Sequence, residues 1–120
     1  MTTDPKLERV FQMRYGDIDG LYQTKVERKG HTREELDHVL TWLTGYSTEQ
    51  LREQAASPAT LREFFADAPQ MHPNTDLITG VLCGVRVEDI EDPLMQKIRW
   101  MDKLVDDVAR GKKMESILRS

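Results

Sequence analysis

The sequence predicts an all-α fold of about five or six short helices, organised as a single globular domain over residues 1–120. Three observations predict it. Capping boxes open two segments, Thr32–Glu35 and Ser47–Gln50, where a hydroxyl and a carboxyl or amide satisfy each other's free backbone N–H groups. Apolar residues then recur at i, i+3, i+4 and i+7, the spacing of one helical face. Glycines stand where such runs stop, at Gly30, Gly45 and Gly111. The alternative is an α+β fold with a short strand near Val85–Val87, because these valines alternate with Arg86 and Glu88. That alternative applies if Leu77–Val87 and Val10–Met13 prove to be strands.

Taken in order, the opening run LERVFQMRYG reads as extended. Asp17 caps a helix with Ile18, Leu21, Tyr22 and Val26 on its inner face, and a basic last turn at Lys29 meets Gly30. Gly20 weakens that helix. The Thr32 box starts the clearest helix, with Leu36, Val39, Leu40 and Leu43 as its stripe. Ser47 opens a short helix around Leu51. Ser57-Pro58 is read as the start of the next, with proline at the first helical position, Leu61, Phe64, Phe65 and Ala68 inside, and Pro69 as the end. Asn74 to Gly84 fits a helix through Leu77, Ile78, Val81 and Leu82, followed by a short extended link.

The acids Glu88, Asp89, Glu91 and Asp92 then come in quick succession. Asp92-Pro93 is an N-cap followed by proline, and Leu94, Ile98, Met101, Leu104, Val105 and Val108 form the stripe behind it. Glu91 and Asp92 therefore sit at the positive end of a helix dipole, which is a structural role. Met114, Ile117 and Leu118 mark a short terminal helix that folds back on the core or docks on a partner.

Composition narrows the function classes. Charged residues make up 32% of the chain, and the net charge is −4, with a pI near 5.4. An acidic balance counts against general nucleic-acid binding, which calls for a basic face. A single cysteine, Cys83, excludes an internal disulfide, and its apolar neighbours suggest a buried thiol. The N-terminus lacks a secretory pattern, and the longest apolar run, Leu77–Val87, is too short and broken for a bilayer. A cytoplasmic protein is the expectation.

No catalytic signature, phosphate loop or dinucleotide fingerprint is present, so enzyme activity stays open. No cofactor and no metal are expected. The acids lack the alternate oxygens and central glycine of a calcium loop, and Asp17-Ile18-Asp19-Gly20 has Arg28 where such a loop needs glutamate. The histidines, His31, His38 and His72, are spaced as surface or capping residues. Trp42 and Trp100 lie off the apolar stripes of their helices. Each either fills a second packing seam or anchors a pocket or subunit interface.

Five stretches together, VERKG (Val26–Gly30), WLTGY (Trp42–Tyr46), FFADAP (Phe64–Pro69), LITGVLCGVRVEDIEDPLMQKIR (Leu77–Arg99) and GKKMESILR (Gly111–Arg119), carry a resemblance. The chain resembles the uncharacterised bacterial family catalogued as domain of unknown function 2200, over nearly its whole length. The resemblance implies a small stand-alone cytoplasmic protein without an assigned activity. The family pattern carries asparagine where this chain has His72, which makes His72 a poor candidate for a shared catalytic role. Its longest motif directs attention to Arg86, Glu88 and Asp89 as binding residues, with Trp42 and Tyr46 as neighbours; Trp100 joins them as an anchor.

Three functional readings follow. The first is an interaction or regulatory protein acting through a homo-oligomer or an unknown protein partner. The second is a small-ligand binder or enzyme with a pocket near Arg86–Asp92, which a perturbed carboxylate in a cleft would favour. The third and weakest is a nucleic-acid binder using the Gly45–Ser47 turn. No membrane association is expected.

Overall fold

The computed structural model describes residues 5–82 and 84–118. The described residues include seven α-helices, two short 3-10 turns and one two-stranded antiparallel hairpin. The fold is therefore all-α, with the short-strand alternative realised only locally. Cys83, and with it the expectation of a buried thiol, lies outside the described residues.

The helices are α1 (Pro5–Phe11), α2 (Tyr15–Arg28), α3 (Arg33–Thr44), α4 (Thr48–Ala56), α5 (Leu61–Ala66), α6 (Pro93–Ala109) and α7 (Met114–Ile117). The hairpin strands are β1 (Val81–Leu82) and β2 (Val85–Arg86), paired Val81 to Arg86 and Leu82 to Val85. Helix α6 is the central post, packed by α1, α2, α3, α5, α7 and β1. Its stripe of Ile98, Met101, Leu104, Val105 and Val108 is buried as the spacing predicts, and only Leu94 is half-buried. Asp92 caps it, accepting the Met95 N–H at 2.9 Å.

The cap chemistry holds throughout the middle of the chain. Thr32 with Glu35 and Ser47 with Gln50 form full capping boxes, and Gly45 ends α3 in the left-handed conformation. Helix α7 folds back against α6 and buries Ile117 completely. None of the described helices is long and apolar enough to cross a membrane.

Four expectations need correction. The opening run is helical: α1 occupies Pro5–Phe11, and the extended geometry is confined to Arg14, which bridges Thr60. Helix α2 begins at Tyr15, two residues before Asp17, and Leu21 is 63% exposed. Its buried face is instead Tyr15, Asp19, Tyr22 and Val26, a stripe that hides a carboxylate and so escapes a hydrophobic count. Helix α5 starts from a third capping box, Thr60 with Glu63, while Ser57 ends α4 by donating to the Gln54 carbonyl at 2.8 Å. Pro58 thus lies between helices. Finally, Asn74–Gly84 is a 3-10 turn (Thr75–Leu77) leading into β1, because positive φ at Gly80 and Gly84 breaks any helix.

Three glycines stand at close approaches: Gly16, Gly80, and Gly45, whose added Cβ would lie 2.8 Å from the Gln70 amide nitrogen. A Cβ on Gly16 would lie 2.2 Å from the Ala55 carbonyl oxygen, so α2 and α4 cross backbone to backbone there. Gly80, at φ 123°, rests on the buried Lys103 stem, whose Cε would be 2.8 Å from an added Cβ.

Candidate ligand cleft at the α2–α6 crossing

Two clusters of polar side chains lie inside the helical shell. The first ties α2, α3 and α4 together. Arg33 donates to both oxygens of Asp19 at 2.6 and 2.8 Å and, through Nε, to Asp37 at 2.9 Å. Arg52 completes Asp37 with donors at 2.6 and 3.1 Å, and the Tyr15 hydroxyl donates to Asp19 at 2.7 Å. Burial, then the charge of Asp19, push the Tyr15 hydroxyl well above its ordinary range. Every charge here has its counter-charge, and Tyr15 closes the cluster by stacking on Phe64 at 3.9 Å. It is a structural clamp.

The second cluster differs. A cleft of about 200 Å³ opens where α1, α2 and α5 meet α6. Its walls are apolar: Val10 from α1, Met13 from the α1–α2 turn, Ile18 from α2, Leu61 from α5, and Met95 and Ile98 from α6. Its polar end consists of Tyr22, Arg99 and Asp102. The spacing explains the convergence. Met95, Ile98, Arg99 and Asp102 fall on one face of α6 at steps of three and four, and Ile18 and Tyr22 do so on α2. The α1–α2 turn is pinned across the cleft by Leu61 N–H to the Met13 carbonyl at 2.8 Å and Tyr15 N–H to the Ala59 carbonyl at 2.9 Å.

At the polar end the Tyr22 hydroxyl donates a short hydrogen bond to Asp102 Oδ1. Arg99 Nη1 donates to Asp102 Oδ2 at 3.3 Å. Burial raises the Asp102 carboxyl above its ordinary range, although Tyr22, Arg99 and Lys25 all act to lower it. A quarter of the side chain still reaches solvent (26%), and it lines the cleft beside Met95 and Ile98. Burial also lifts the Tyr22 hydroxyl well above its usual value, and the Asp102 charge and hydrogen bond add to the effect. Larger grooves exist along the outer sides of α1 and α2, but each is open to solvent and lined by one short run of chain.

The residues singled out by sequence all lie outside this cleft. Arg86, Glu88 and Asp89 lie at the hairpin and the 3-10 turn Val87–Asp89, all exposed. Arg86 pairs with Glu88 at 3.8 Å, and Glu88 accepts the Gly80 N–H at 3.1 Å, which ties the hairpin base. Tyr46 is buried and donates to the Phe64 carbonyl at 2.7 Å; burial, helped by the Asp67 charge, pushes its hydroxyl up to about 12. Trp42 is half-buried and stacks on His72 with ring centroids 4.0 Å apart, and Trp100 is buried in the core. Apart from Arg86 with Glu88, no hydrogen bond, ion pair or ring contact among the described residues joins these side chains to one another. Sequence reasoning missed Tyr22, Arg99 and Asp102 as a site. Sequence analysis places Tyr22 on the inner face of its helix and gives Arg99 and Asp102 no role.

The family model for an uncharacterised protein conserved in bacteria, DUF2200, matches residues 9–119. The chain belongs to this family. The DUF2200 match spans every residue of the cleft, from Val10 to Asp102. A solved crystal structure, that of the uncharacterized protein SP1917, is similar to this DUF2200 chain at 40% identity and a TM-score of 0.87. The similarity covers 92% of this chain and 91% of that one. No functionally curated protein matches.

Proposed function

We propose that this DUF2200 protein binds a small ligand in the α1–α2–α5–α6 cleft, with Tyr22, Arg99 and Asp102 as the polar end of the site. The observation that carries this reading is a carboxyl with a raised proton affinity at the polar end of a cleft whose other walls are apolar. The competing explanation is that Tyr22 and Asp102 merely tether α2 to α6. A tether needs no void beside it, and helical cores normally close such gaps because an unfilled cavity is destabilising. The acidic, single-cysteine composition suits a cytoplasmic setting for such a binder.

The test is a ligand-observed NMR fragment screen on the wild type and on Ile18→Phe, which fills the cleft. Fragments that bind the wild type and lose their signal with Ile18→Phe support the reading. A hit list unchanged by that substitution removes the cleft from consideration.

A second reading is favoured by one observation. Leu77, Val81 and Val85 are 57%, 51% and 50% exposed around the hairpin, with Arg86, Glu88 and Asp89 beside them. Such residues suit the core and rim of a homo-oligomer or partner interface. Sedimentation equilibrium of the wild type against Val81→Thr/Val85→Thr tests it. A dimer weakened by the double substitution supports a second copy on this face, and identical monomers discard the homo-oligomer.

A further inference from the structure

We propose that the ligand of the cleft is a small monocarboxylate, held by the Arg99 guanidinium beside Asp102, with its hydrocarbon part against Val10, Ile18, Leu61 and Ile98. The inference rests on the ligand-binding reading above and adds the charge, size and polarity of what binds.

The charge follows from which groups at the polar end are already used. Both Asp102 oxygens are engaged, Oδ1 by Tyr22 and Oδ2 by Arg99. The guanidinium carries five N–H donors in a planar fork. Among the described residues, Asp102 is its only hydrogen-bond partner, and that bond uses Nη1 alone. Roughly a third of the Arg99 side chain is exposed (32%) where it lines the cleft. What remains open is a set of donors, so the complement is an acceptor. A planar carboxylate matches the fork through two parallel hydrogen bonds.

An amine fits poorly. It would bring donors to a place that already has them in excess, and it would sit beside a guanidinium. A phosphate dianion is also poorly matched, because one arginine supplies one charge and the neighbouring Lys25 is committed to Asp106 at 3.2 Å. Burial acts in the same direction for the carboxyl partner. It disfavours the charged form of Asp102, and so weakens the anion that competes for Arg99.

The size follows from the cleft. About 200 Å³ is below the range of sites for drug-sized molecules, which begins at about 300 Å³. It corresponds to about six or seven waters at liquid density, room for a short-chain acid but not for a nucleotide. The polar groups are confined to one end, so a sugar or polyol would leave most of its hydroxyls against aliphatic side chains without partners. Met13, 42% exposed at the rim, is a flexible apolar side chain suited to follow tails of different length.

The experiment compares three probes of equal chain length, hexanoate, hexylamine and hexan-1-ol, by amide chemical-shift titration of the full chain. Hexanoate is expected to bind at least about tenfold more tightly than the other two, the ratio expected of one charge-assisted contact. Its shifts should centre on Met13, Ile98, Arg99 and Asp102. Arg99→Gln should remove that preference while leaving the remaining spectrum folded. Asp102→Asn should keep or tighten hexanoate binding, because it abolishes the charge that competes for Arg99. Tighter binding of the amine or the alcohol at the cleft overturns the carboxylate assignment and leaves the ligand-binding reading standing. Shifts at the cleft from none of the three, together with a fragment screen blind to Ile18→Phe, overturn both.

Discussion

Asp19 and Asp37 on one side of α2, and Asp102 on the other, are carboxylates in the same helical shell with opposite surroundings. The first two are gripped by Arg33 and Arg52 through paired N–H donors and are almost wholly removed from water. Asp102 has one tyrosine, one long guanidinium contact and an open cleft beside it. A saturated charge cluster holds helices together and has nothing left to offer a ligand. An under-used guanidinium next to a reluctant anion does. The comparison teaches that burial of charge alone does not mark a site; what marks it is the donor left over when the internal pairs are counted.

The largest expected effect tests the clamp. Arg33→Met leaves Asp19 and Asp37 buried without their shared counter-charge and should destabilise the fold by about 3–5 kcal/mol in urea unfolding. A loss below about 1 kcal/mol, the range of surface pairs, would mean that this cluster is no different from an exposed one.

The smaller effect concerns Asp102 and depends on pH. In the folded chain its carboxyl titrates above the ordinary range, whereas the unfolded chain titrates near about 3.9. The folded form therefore holds the proton more readily. Its stability relative to Asp102→Asn should rise as pH falls from neutral through the elevated value, and level off below about pH 3.9. Glu63 provides the opposite sign: the Thr60 backbone amide, then its hydroxyl, hold the carboxyl below its usual range, so its contribution is lost on acidification. Paired urea melts at neutral and mildly acid pH check the trend. A difference between wild type and Asp102→Asn that is flat in pH would make Asp102 an ordinary surface carboxylate.

Local chemistry was legible wherever a short motif determines it. The Thr32 and Ser47 boxes, the Asp92-Pro93 start and the left-handed Gly45 stop stand where the spacing puts them. The third box, Thr60–Glu63, has the same pattern but was obscured by Ser57-Pro58, which offered a competing start three residues earlier. The α2 register was misread because its inner face includes Asp19, whose burial depends on Arg33 fourteen positions away. The cleft was illegible for a similar reason. Tyr22 and Asp102 are separated by eighty positions, and no pattern within α2 or α6 announces that the two helices cross there.

Lys103 has a consequence of a different kind. It is 6% exposed, paired with the wholly buried Asp107 at 2.8 Å, and covered by Gly80 at the foot of the hairpin. Gly80 lies against its stem, so lifting of the hairpin from α6 should open its nitrogen to an amine-specific acylating reagent. The rate at which this one lysine is labelled, set against exposed Lys29 or Lys113, is therefore a clock for hairpin opening. That clock runs in unmodified wild-type protein, without an introduced probe. If a second chain does settle over Val81 and Val85, the clock should slow with protein concentration.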